Sequence, residues 1–240
     1  MSLPPSTGHD AAVLFDVDGV LVDSYPAYRR IWDRWAVHRG LDPATVWSHT
    51  HGRRPVDTIA AVAPLLDPET EYRLVRAFMA DEGDAFPVYP DARHVLNAVR
   101  RFRWGVVTSG RTPTVLHRLR AGGLPDPPVL VDSTQVAAGK PHPEGYLRAA
   151  GLLRTAPRRC LVVEDAPAGI RAARAAGMTV IALTTTHPRD QLTAAHHITD
   201  TLGAAAPLIQ EWLAAPHWTR FTAAGSKFQP WATAERSRRA

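Results

Sequence analysis

The feature that most constrains the fold is a series of short, continuously apolar segments that each end near a polar residue. They cover residues 12–16, 104–108, 129–131, 160–164 and 179–183. Apolar runs of this kind are typical of strands buried on both faces of a parallel sheet. Helical patterns or turns separate them, so we predict an α/β fold whose parallel sheet carries helices on both faces. Because ligands bind beyond the carboxyl ends of such strands, the polar residues there are the first candidates for a functional site.

Residues 24–87 lack this alternation and carry helical patterns instead. Aromatic residues recur at spacings of three and four between positions 25 and 35, which is typical of one face of an amphipathic helix. Asp42 and Asp67 each precede a proline, so we expect each to be the N-cap of a helix that begins at that proline. The predicted organisation is a discontinuous core over residues 10–23 and 88–212, an inserted α-helical cap domain over 24–87, and a C-terminal tail of unknown role over 213–240.

Two acids two residues apart, Asp16 and Asp18, follow the first apolar run. Carboxylates at the end of a buried strand are costly unless a cation lies between them. A calcium loop would place an oxygen ligand at its fifth position and a glycine at its sixth. Here Val20 holds the fifth position and Gly19 comes too early, so the calcium interpretation fails. The remaining alternative to a functional pair is an ordinary strand end with solvated acids.

Three later segments also carry reactive groups, two of them at the ends of predicted strands and one on a loop. Residues 108–110, Thr-Ser-Gly, end a strand with hydroxyls and a backbone N–H that suit a phosphate, although an ordinary turn has the same composition. Lys140 lies between a glycine and a proline, on a stiff loop. Glu164 and Asp165 end another buried strand with two further acids.

Taken together and in this order, these four segments resemble the haloacid dehalogenase-like (HAD) hydrolase superfamily. The similarity is greatest to its sugar-phosphatase branch, which includes 2-deoxyglucose-6-phosphate and glycerol-3-phosphate phosphatases. The resemblance spans about residues 12–200, and residues 51–59, His-Gly-Arg-Arg-Pro-Val-Asp-Thr-Ile, are similar to a cap signature of that branch. It implies a Rossmann-like core with an inserted helical cap, and a phosphoric monoester hydrolase acting on a small sugar or polyol phosphate.

The resemblance also implies a role for each acid and for the lysine. Asp16 would attack phosphorus and form an aspartyl-phosphate, and Asp18 would act as general acid and then general base. Mg²⁺ would be bound by the Asp16 and Asp165 carboxylates and the Asp18 carbonyl, with Glu164 contributing directly or through a water. Lys140 would neutralise Asp16 and the oxygens of the transferring phosphoryl group.

Substrate contacts follow from the same resemblance. The Ser109 hydroxyl and the Gly110 N–H would hold the phosphoryl oxygens, with Thr108 as a less suitable substitute. Arg54 matches the arginine of the cap signature and is a candidate ligand for a substrate oxygen. The alternative for Arg54 is a surface side chain paired with Asp57.

The same residues argue against other activities of this superfamily. Dehalogenases lack the acid present here as Asp18. A phosphosugar mutase of the β-phosphoglucomutase type would carry a histidine where this chain has Tyr28. A phosphonate hydrolase needs a cap lysine, and no lysine precedes Lys140. A binding or regulatory protein that has lost catalysis would show a damaged nucleophile, acid or lysine, and all three are intact.

Composition bounds the partners and the compartment. The 240 residues include 28 basic and 23 acidic side chains, a net charge of +5 that favours an anionic ligand. Basic residues are not interleaved with aromatics, and no apolar run is long enough to span a bilayer, so we expect a small phosphate ester as partner, without nucleic acid or membrane. Cys160 is the single cysteine and the first residues lack a signal-peptide pattern, so we expect a cytoplasmic protein. The sequence does not distinguish a monomer from a homodimer.

Overall fold

The structure, a computed structural model, describes residues 11–83 and 86–214 together with the backbone of 219–220 and 229–230. Its strands are β1 (Ala12–Phe15), β2 (Arg103–Val107), β3 (Leu130–Val131), β4 (Cys160–Glu164), β5 (Thr179–Leu183), β6 (His197–Thr199), β7 (Thr219–Arg220) and β8 (Gln229–Pro230). The first six form a parallel sheet in the order β3-β2-β1-β4-β5-β6, and β7 pairs with β8 in antiparallel fashion. Across the sheet the strand numbers fall from β3 to β1 and then rise from β4 to β6. This change in the order at β1 and β4 is typical of a Rossmann-like core and confirms that prediction.

The helices of the described residues are α1 (Tyr25–His38), α2 (Pro43–Ser48), α3 (Pro55–Val62), α4 (Pro68–Asp81), α5 (Ala92–Val99), α6 (Thr112–Ala121), α7 (Glu144–Leu152), α8 (Pro167–Ala175) and α9 (Leu202–Ala214). Short 3₁₀ helices cover Pro157–Arg159 and Arg189–Leu192. The predicted N-caps are confirmed, because Asp42 accepts from the Thr45 N–H and Asp67 from the Thr70 N–H, each at 2.8 Å. None of the described helices combines the length and apolarity needed to cross a membrane.

The sheet is buried on both faces, which explains the continuous apolar runs of its strands. Successive residues of β1 point to opposite sides: Val13 and Phe15 join one apolar cluster, and Ala12 and Leu14 join the other. The first cluster also contains side chains of α5, α6 and α9 and of helices α1–α4, and the second contains side chains of α7 and α8. The carboxyl ends of the strands therefore emerge from a packed core at one edge.

Helices α1–α4 lie in the chain between β1 and β2 and are joined to the core by two adjacent connections. The Asp23 N–H donates to the Pro87 carbonyl at 2.7 Å, and the Tyr89 N–H donates to the Leu21 carbonyl at 3.0 Å. Paired connections of this kind are those expected of an inserted domain, and we refer to α1–α4 as the cap.

Two elements of the core were not predicted from the sequence, β6 and α9. Helix α9 contains Pro207 and continues to Ala214. Leu213, which the sequence assigned to the tail, is 3% exposed and packs in the core. Of the predicted tail, residues 215–218, 221–228 and 231–240 lie outside the described residues.

A buried carboxylate links α1 to α4 within the cap. Glu71 is 4% exposed. It accepts hydrogen bonds from Trp35 Nε1 at 2.9 Å and from two nitrogens of Arg39 at 2.7 Å each. A buried charge is tolerated when it is paired and hydrogen-bonded in this way, and removing one partner leaves the others unsatisfied.

We expect Glu71→Ala to lower the free energy of unfolding by about 2–4 kcal/mol, because the Trp35 N–H and the Arg39 guanidinium lose their acceptor. Urea denaturation of the metal-free protein measures this change. Glu69→Ala is the matched control: Glu69 lies on the same helix, 62% exposed and 3.3 Å from Arg111, and we expect a change within about 0.5 kcal/mol. Equal losses in the two variants would contradict the role assigned to Glu71.

Candidate active site

Three carboxylates meet where the neighbouring strands β1 and β4 end. Phe15 and Val163 are partners in the ladder, and the Asp16 N–H donates to the Val163 carbonyl at 3.0 Å. Asp16 therefore follows β1 beside Glu164 and Asp165, and one oxygen from each of the three lies within 4.8 Å of the others. All three side chains are buried.

Lys140 brings one positive charge to these three acids. Its Nζ donates to Asp16 Oδ1 at 2.7 Å and to Glu164 Oε1 at 2.6 Å, and the side chain is 6% exposed. With all three carboxylates ionised, one ammonium leaves an excess of two negative charges in a place largely closed to water. Such an excess is unfavourable unless a cation or protons balance it.

The pKa values follow from this imbalance. Burial raises the pKa of Asp16 to about 7; Lys140 opposes this shift, and the neighbouring charges of Glu164 and Asp18 add to it. Burial, with Glu164 and Asp16, also raises the pKa of Asp165 well above its usual range. Burial lowers the pKa of Lys140, but the two carboxylates beside it have the larger effect and raise it overall. The lysine remains charged, and the acids compete for a compensating charge.

The oxygens of Asp165 are suited to a cation. Asp165 Oδ2 accepts from the Thr186 hydroxyl, whereas Oδ1 is buried without a hydrogen-bond partner in the described part of the chain. Gly19 makes this placement possible: its φ is +85°, and a Cβ there would lie 2.2 Å from Asp165 Oδ2. An unpaired carboxylate oxygen in a cluster with two excess negative charges fits a divalent cation that prefers oxygen ligands.

Glu164 differs from the other two acids in its hydrogen bonds. Oε1 accepts from Lys140 and from the Tyr146 hydroxyl at 2.8 Å, and Oε2 accepts from the N–H groups of Asp165 and Ala166 at 3.0 and 3.1 Å. Four donors thus already occupy the carboxylate. This geometry favours a role for Glu164 in anchoring Lys140 over direct coordination of a metal. The sequence alone left both roles open.

Asp18 lies two residues beyond Asp16 and lines the cleft between core and cap. Its side chain is 26% exposed, and Oδ1 lies 3.5 Å from an Arg118 nitrogen without a hydrogen bond among the described residues. Asp18 therefore lines the cleft beside a guanidinium, with one buried carboxylate oxygen that accepts no hydrogen bond from the described part of the chain. Its side chain does not belong to the group of three acids around Lys140.

The predicted phosphate donors line the same cleft but are engaged in this conformation. Ser109 Oγ donates to the Gly52 carbonyl of the cap at 3.0 Å. The Gly110 N–H donates to Thr108 Oγ1 at 3.0 Å. Both donors face the cleft, and a phosphate would have to replace these two internal acceptors.

Arg54 is paired with Asp57, which was the alternative to a contact with substrate. Two of its nitrogens donate to the Asp57 carboxylate at 2.7 and 2.8 Å, and NH1 donates to the carbonyls of Val136 and Ala137 at 3.4 and 3.2 Å. The guanidinium thus joins cap helix α3 to the loop that leads to Lys140. The neighbouring Arg53 lines the cleft; Arg54 instead lines a smaller pocket together with Ser109 and Lys140.

Three residues of the site were missed from the sequence: Arg118, Tyr146 and Thr186. Thr186 follows β5, so the rule that ligands bind at the carboxyl ends of strands could have identified it. Arg118 and Tyr146 lie within helices, where nothing in the local pattern separates them from other amphipathic positions.

Besides the acids, the lining of the cleft is rich in aromatic and basic side chains. Those from the cap are Tyr25, Tyr28, Trp32, Trp47, His51, Arg53 and Tyr72, and those from the core are Arg111 and Arg118. A ligand in the cleft would meet ring faces and guanidinium donors as well as the carboxylates.

Comparison with known proteins assigns the family. The pattern of the haloacid dehalogenase-like hydrolases matches residues 11–177. Hexitol phosphatase A of Escherichia coli K12 is 39% identical over 175 residues, 71% of this chain and 81% of that protein. Glycerol-1-phosphate phosphohydrolase 2 of Saccharomyces cerevisiae is 33% identical over 193 residues, 75% of this chain and 77% of the yeast protein.

Solved structures show the same fold. A β-phosphoglucomutase from Clostridium difficile superimposes with a TM-score of 0.75 over 85% of this chain and 96% of the mutase, at 20% identity. The fold, the order of the acidic and basic residues along it and the match over more than half the sequence agree, and this chain belongs to the haloacid dehalogenase-like hydrolases.

Proposed function

We propose that this protein is a Mg²⁺-dependent phosphatase that hydrolyses small sugar or polyol phosphate monoesters through an aspartyl-phosphate on Asp16. The observation that carries the proposal is the group of Asp16, Glu164 and Asp165 around Lys140, two negative charges in excess at the end of the cleft. Asp18 lies beside it with an oxygen that has no hydrogen bond among the described residues. One carboxylate is thus held as a nucleophile and a second is available for proton transfer.

In the first half of the reaction the Asp16 carboxylate attacks phosphorus, and the bond from phosphorus to the ester oxygen breaks. Asp18, protonated at this stage, gives its proton to the departing ester oxygen. Lys140 stays hydrogen-bonded to the Asp16 side chain and balances negative charge on the transferring phosphoryl group. The Ser109 hydroxyl and the Gly110 N–H exchange their internal acceptors for phosphoryl oxygens.

In the second half Asp18, now ionised, takes a proton from water while that water attacks phosphorus. The acyl-phosphate bond breaks, inorganic phosphate forms and Asp16 is restored. A single carboxylate can serve both steps because it is left with the opposite protonation state after the first.

The residues that would hold Mg²⁺ are Asp16 and Asp165 through their carboxylates and Asp18 through its main-chain carbonyl. The unpaired Asp165 Oδ1 supports this assignment. Glu164 adds negative charge and anchors Lys140. Bound there, Mg²⁺ supplies charge neutralisation that lets the substrate's phosphate approach the Asp16 carboxylate.

The leaving group is proposed to be a sugar or polyol because of the cleft and the relatives. Aromatic rings and arginines line the same cleft as Asp16 and Asp18, a combination that packs on carbon–hydrogen faces and hydrogen-bonds hydroxyls. The two curated relatives described above are named for phosphatases of hexitol and glycerol phosphates. Against a mutase, Tyr28 stands where those enzymes carry a histidine, and burial with the charge of Asp18 raises its pKa, so that it stays protonated.

We expect Asp16→Asn to lower kcat by more than about a hundredfold, a loss of more than about 3 kcal/mol of barrier reduction, because the amide keeps the shape without the nucleophile. Hydrolysis of p-nitrophenyl phosphate measures it, with circular dichroism as the check on folding. Asp200→Asn, at a 77% exposed side chain, is the control and should retain full activity. A folded Asp16→Asn protein with more than about a hundredth of wild-type kcat would exclude the covalent route.

Removal of divalent metal by a chelator should abolish turnover, and Mg²⁺ should restore it. Ca²⁺ should not replace Mg²⁺, because its larger and looser coordination shell misplaces the nucleophile. Isothermal titration with Mg²⁺ gives an independent readout, in which Asp165→Asn should bind more weakly than wild type. Full activity in excess chelator after exhaustive dialysis would remove the metal from the mechanism.

The raised pKa of Asp16 predicts a pH dependence of stability in the metal-free protein. The pKa of Asp16 is about 7 in the folded protein against an ordinary value of 3.8, so folding favours its protonated form. The resulting contribution to the free energy of unfolding is fully present below about pH 4 and is lost as pH rises through about 7. We expect wild type to lose stability relative to Asp16→Asn over this window, measured by urea denaturation at each pH. The comparison between variants separates Asp16 from His51, whose pKa burial lowers to about 4, with His187 and Arg29 adding to the effect. A constant difference between the two proteins from pH 4 to pH 7 would contradict the assignment.

A further inference from the structure

Arg118 is a buried cation whose environment the proposed chemistry does not account for. Its side chain is 6% exposed and lines the cleft from core helix α6. The guanidinium carbon lies 3.5 Å from the ring centre of Phe86 and 5.1 Å from that of Tyr28. Two aromatic side chains thus hold the guanidinium in place on the leaving-group side of the cleft.

The hydrogen bonds of Arg118 leave most of its donors unused. NH1 donates to Tyr28 Oη at 2.8 Å, the hydrogen bond found for this guanidinium in the described part of the chain. Asp18 Oδ1 is 3.5 Å away and accepts no hydrogen bond there. A guanidinium carries five N–H donors, and buried donors are normally satisfied. This one therefore has capacity for an acceptor that enters the cleft.

Tyr28 adds a second donor at the same place. Its oxygen accepts from Arg118, so its own O–H is left to donate. Tyr28 belongs to cap helix α1 and Arg118 to core helix α6, so the pair exists only when the cap rests on the core. Both side chains line the cleft next to Asp18.

We propose that Arg118 and Tyr28 bind an oxygen on the substrate carbon next to the phosphorylated carbon, and so select esters with a vicinal hydroxyl. The inference rests on the proposed function, because the position of the substrate is set by Asp18. Asp18 must contact the ester oxygen to protonate it. Arg118 lies 3.5 Å from the same carboxylate, so an oxygen that it binds must lie close to the ester oxygen, and in a sugar or polyol phosphate the nearest oxygen of the leaving group is on the next carbon.

The unused donors favour an acceptor at this position. Asp18 Oδ1 accepts no hydrogen bond from Arg118 in the described part of the chain, so the guanidinium has N–H groups that can donate to a ligand in the cleft. A substrate oxygen that accepts from Arg118 and Tyr28 together satisfies both donors. An alkyl group in the same place would leave them unsatisfied, which is the usual basis of strong discrimination against an analogue that lacks a hydroxyl.

The test compares three phosphate esters of the same carbon number: propyl, 2-hydroxypropyl and 3-hydroxypropyl phosphate. For wild type we expect kcat/KM for the 2-hydroxy ester to exceed that for the propyl ester by about ten- to a hundredfold, the range for a hydrogen bond to a charged donor. The 3-hydroxy ester, whose hydroxyl lies one carbon too far, should gain much less. Hydrolysis is followed by release of inorganic phosphate.

Two variants assign the preference to the pair. Tyr28→Phe removes only the hydroxyl and should reduce the ratio of 2-hydroxypropyl to propyl phosphate by about two- to tenfold. Arg118→Met keeps an unbranched side chain but removes the charge and the N–H donors, and it should bring the ratio close to one. The ratio is the readout because an effect on folding or on Asp18 would lower turnover of both esters alike. Arg120→Gln is the matched control, on the same helix but 62% exposed and paired with Asp126, and should leave the ratio unchanged.

The outcomes separate this inference from the proposed function. If wild type hydrolyses all three esters at similar kcat/KM, or if the preference survives in both variants, the inference is wrong and the phosphatase proposal stands. If none of the three is hydrolysed although p-nitrophenyl phosphate is, the inference is wrong and the phosphatase proposal stands; if p-nitrophenyl phosphate is not hydrolysed either in the presence of Mg²⁺, both are wrong. Should Arg118→Met fail to fold, Tyr28→Phe alone decides, and an unchanged ratio in that variant overturns the proposal.

Discussion

Asp16, Glu164 and Asp165 share the single ammonium of Lys140 in a place that water hardly reaches. The surrounding fold is arranged to keep these charges together. Neighbouring parallel strands deliver the acids to one edge of the sheet, and Lys140 arrives from the opposite side of β1 on its own loop. Without a balancing cation the excess negative charge favours protonation of the carboxylates. The site therefore responds both to metal binding and to pH.

Glycines are as necessary to this arrangement as the charged groups. At Gly169 a Cβ would lie 1.7 Å from Glu164 Oε1. Helix α8 can therefore begin directly against the carboxylate that anchors Lys140 only because this position has no side chain. Substituting alanine there would displace the anchor, although residue 169 itself contributes no chemistry.

Much of the architecture could be predicted from local pattern. The apolar runs correspond to β1–β5, and Asp42 and Asp67 begin their helices as expected. The runs are legible because strands buried on both faces carry apolar residues at every position. The last strand and helix of the core were harder to predict, because β6 carries polar residues and Pro207 interrupts the helical pattern of α9.

The positions of Asp16, Glu164 and Asp165 at one edge of the sheet could also be predicted, since each lies at the end of a recognisable strand, whereas Lys140 was singled out only by its place on a proline-flanked loop. Their hydrogen bonds could not be predicted, because these depend on distant parts of the chain. The Asp57 pairing of Arg54 is local and was foreseen as one of two alternatives, but its bonds to the Val136 and Ala137 carbonyls span more than eighty residues. Arg118 shows the same limit, since its partners come from the cap and the motif around Asp18.

The hydrogen bond from Ser109 to the Gly52 carbonyl has a consequence for how ligands enter. If Ser109 binds a phosphoryl oxygen as proposed, the cap carbonyl competes with phosphate for the same hydroxyl. Phosphate binding would then release the carbonyl, and departure of phosphate would let it return. The partly buried Ser109 hydroxyl would keep an acceptor between turnovers, and part of the free energy of phosphate binding would offset the loss of this contact between cap and core.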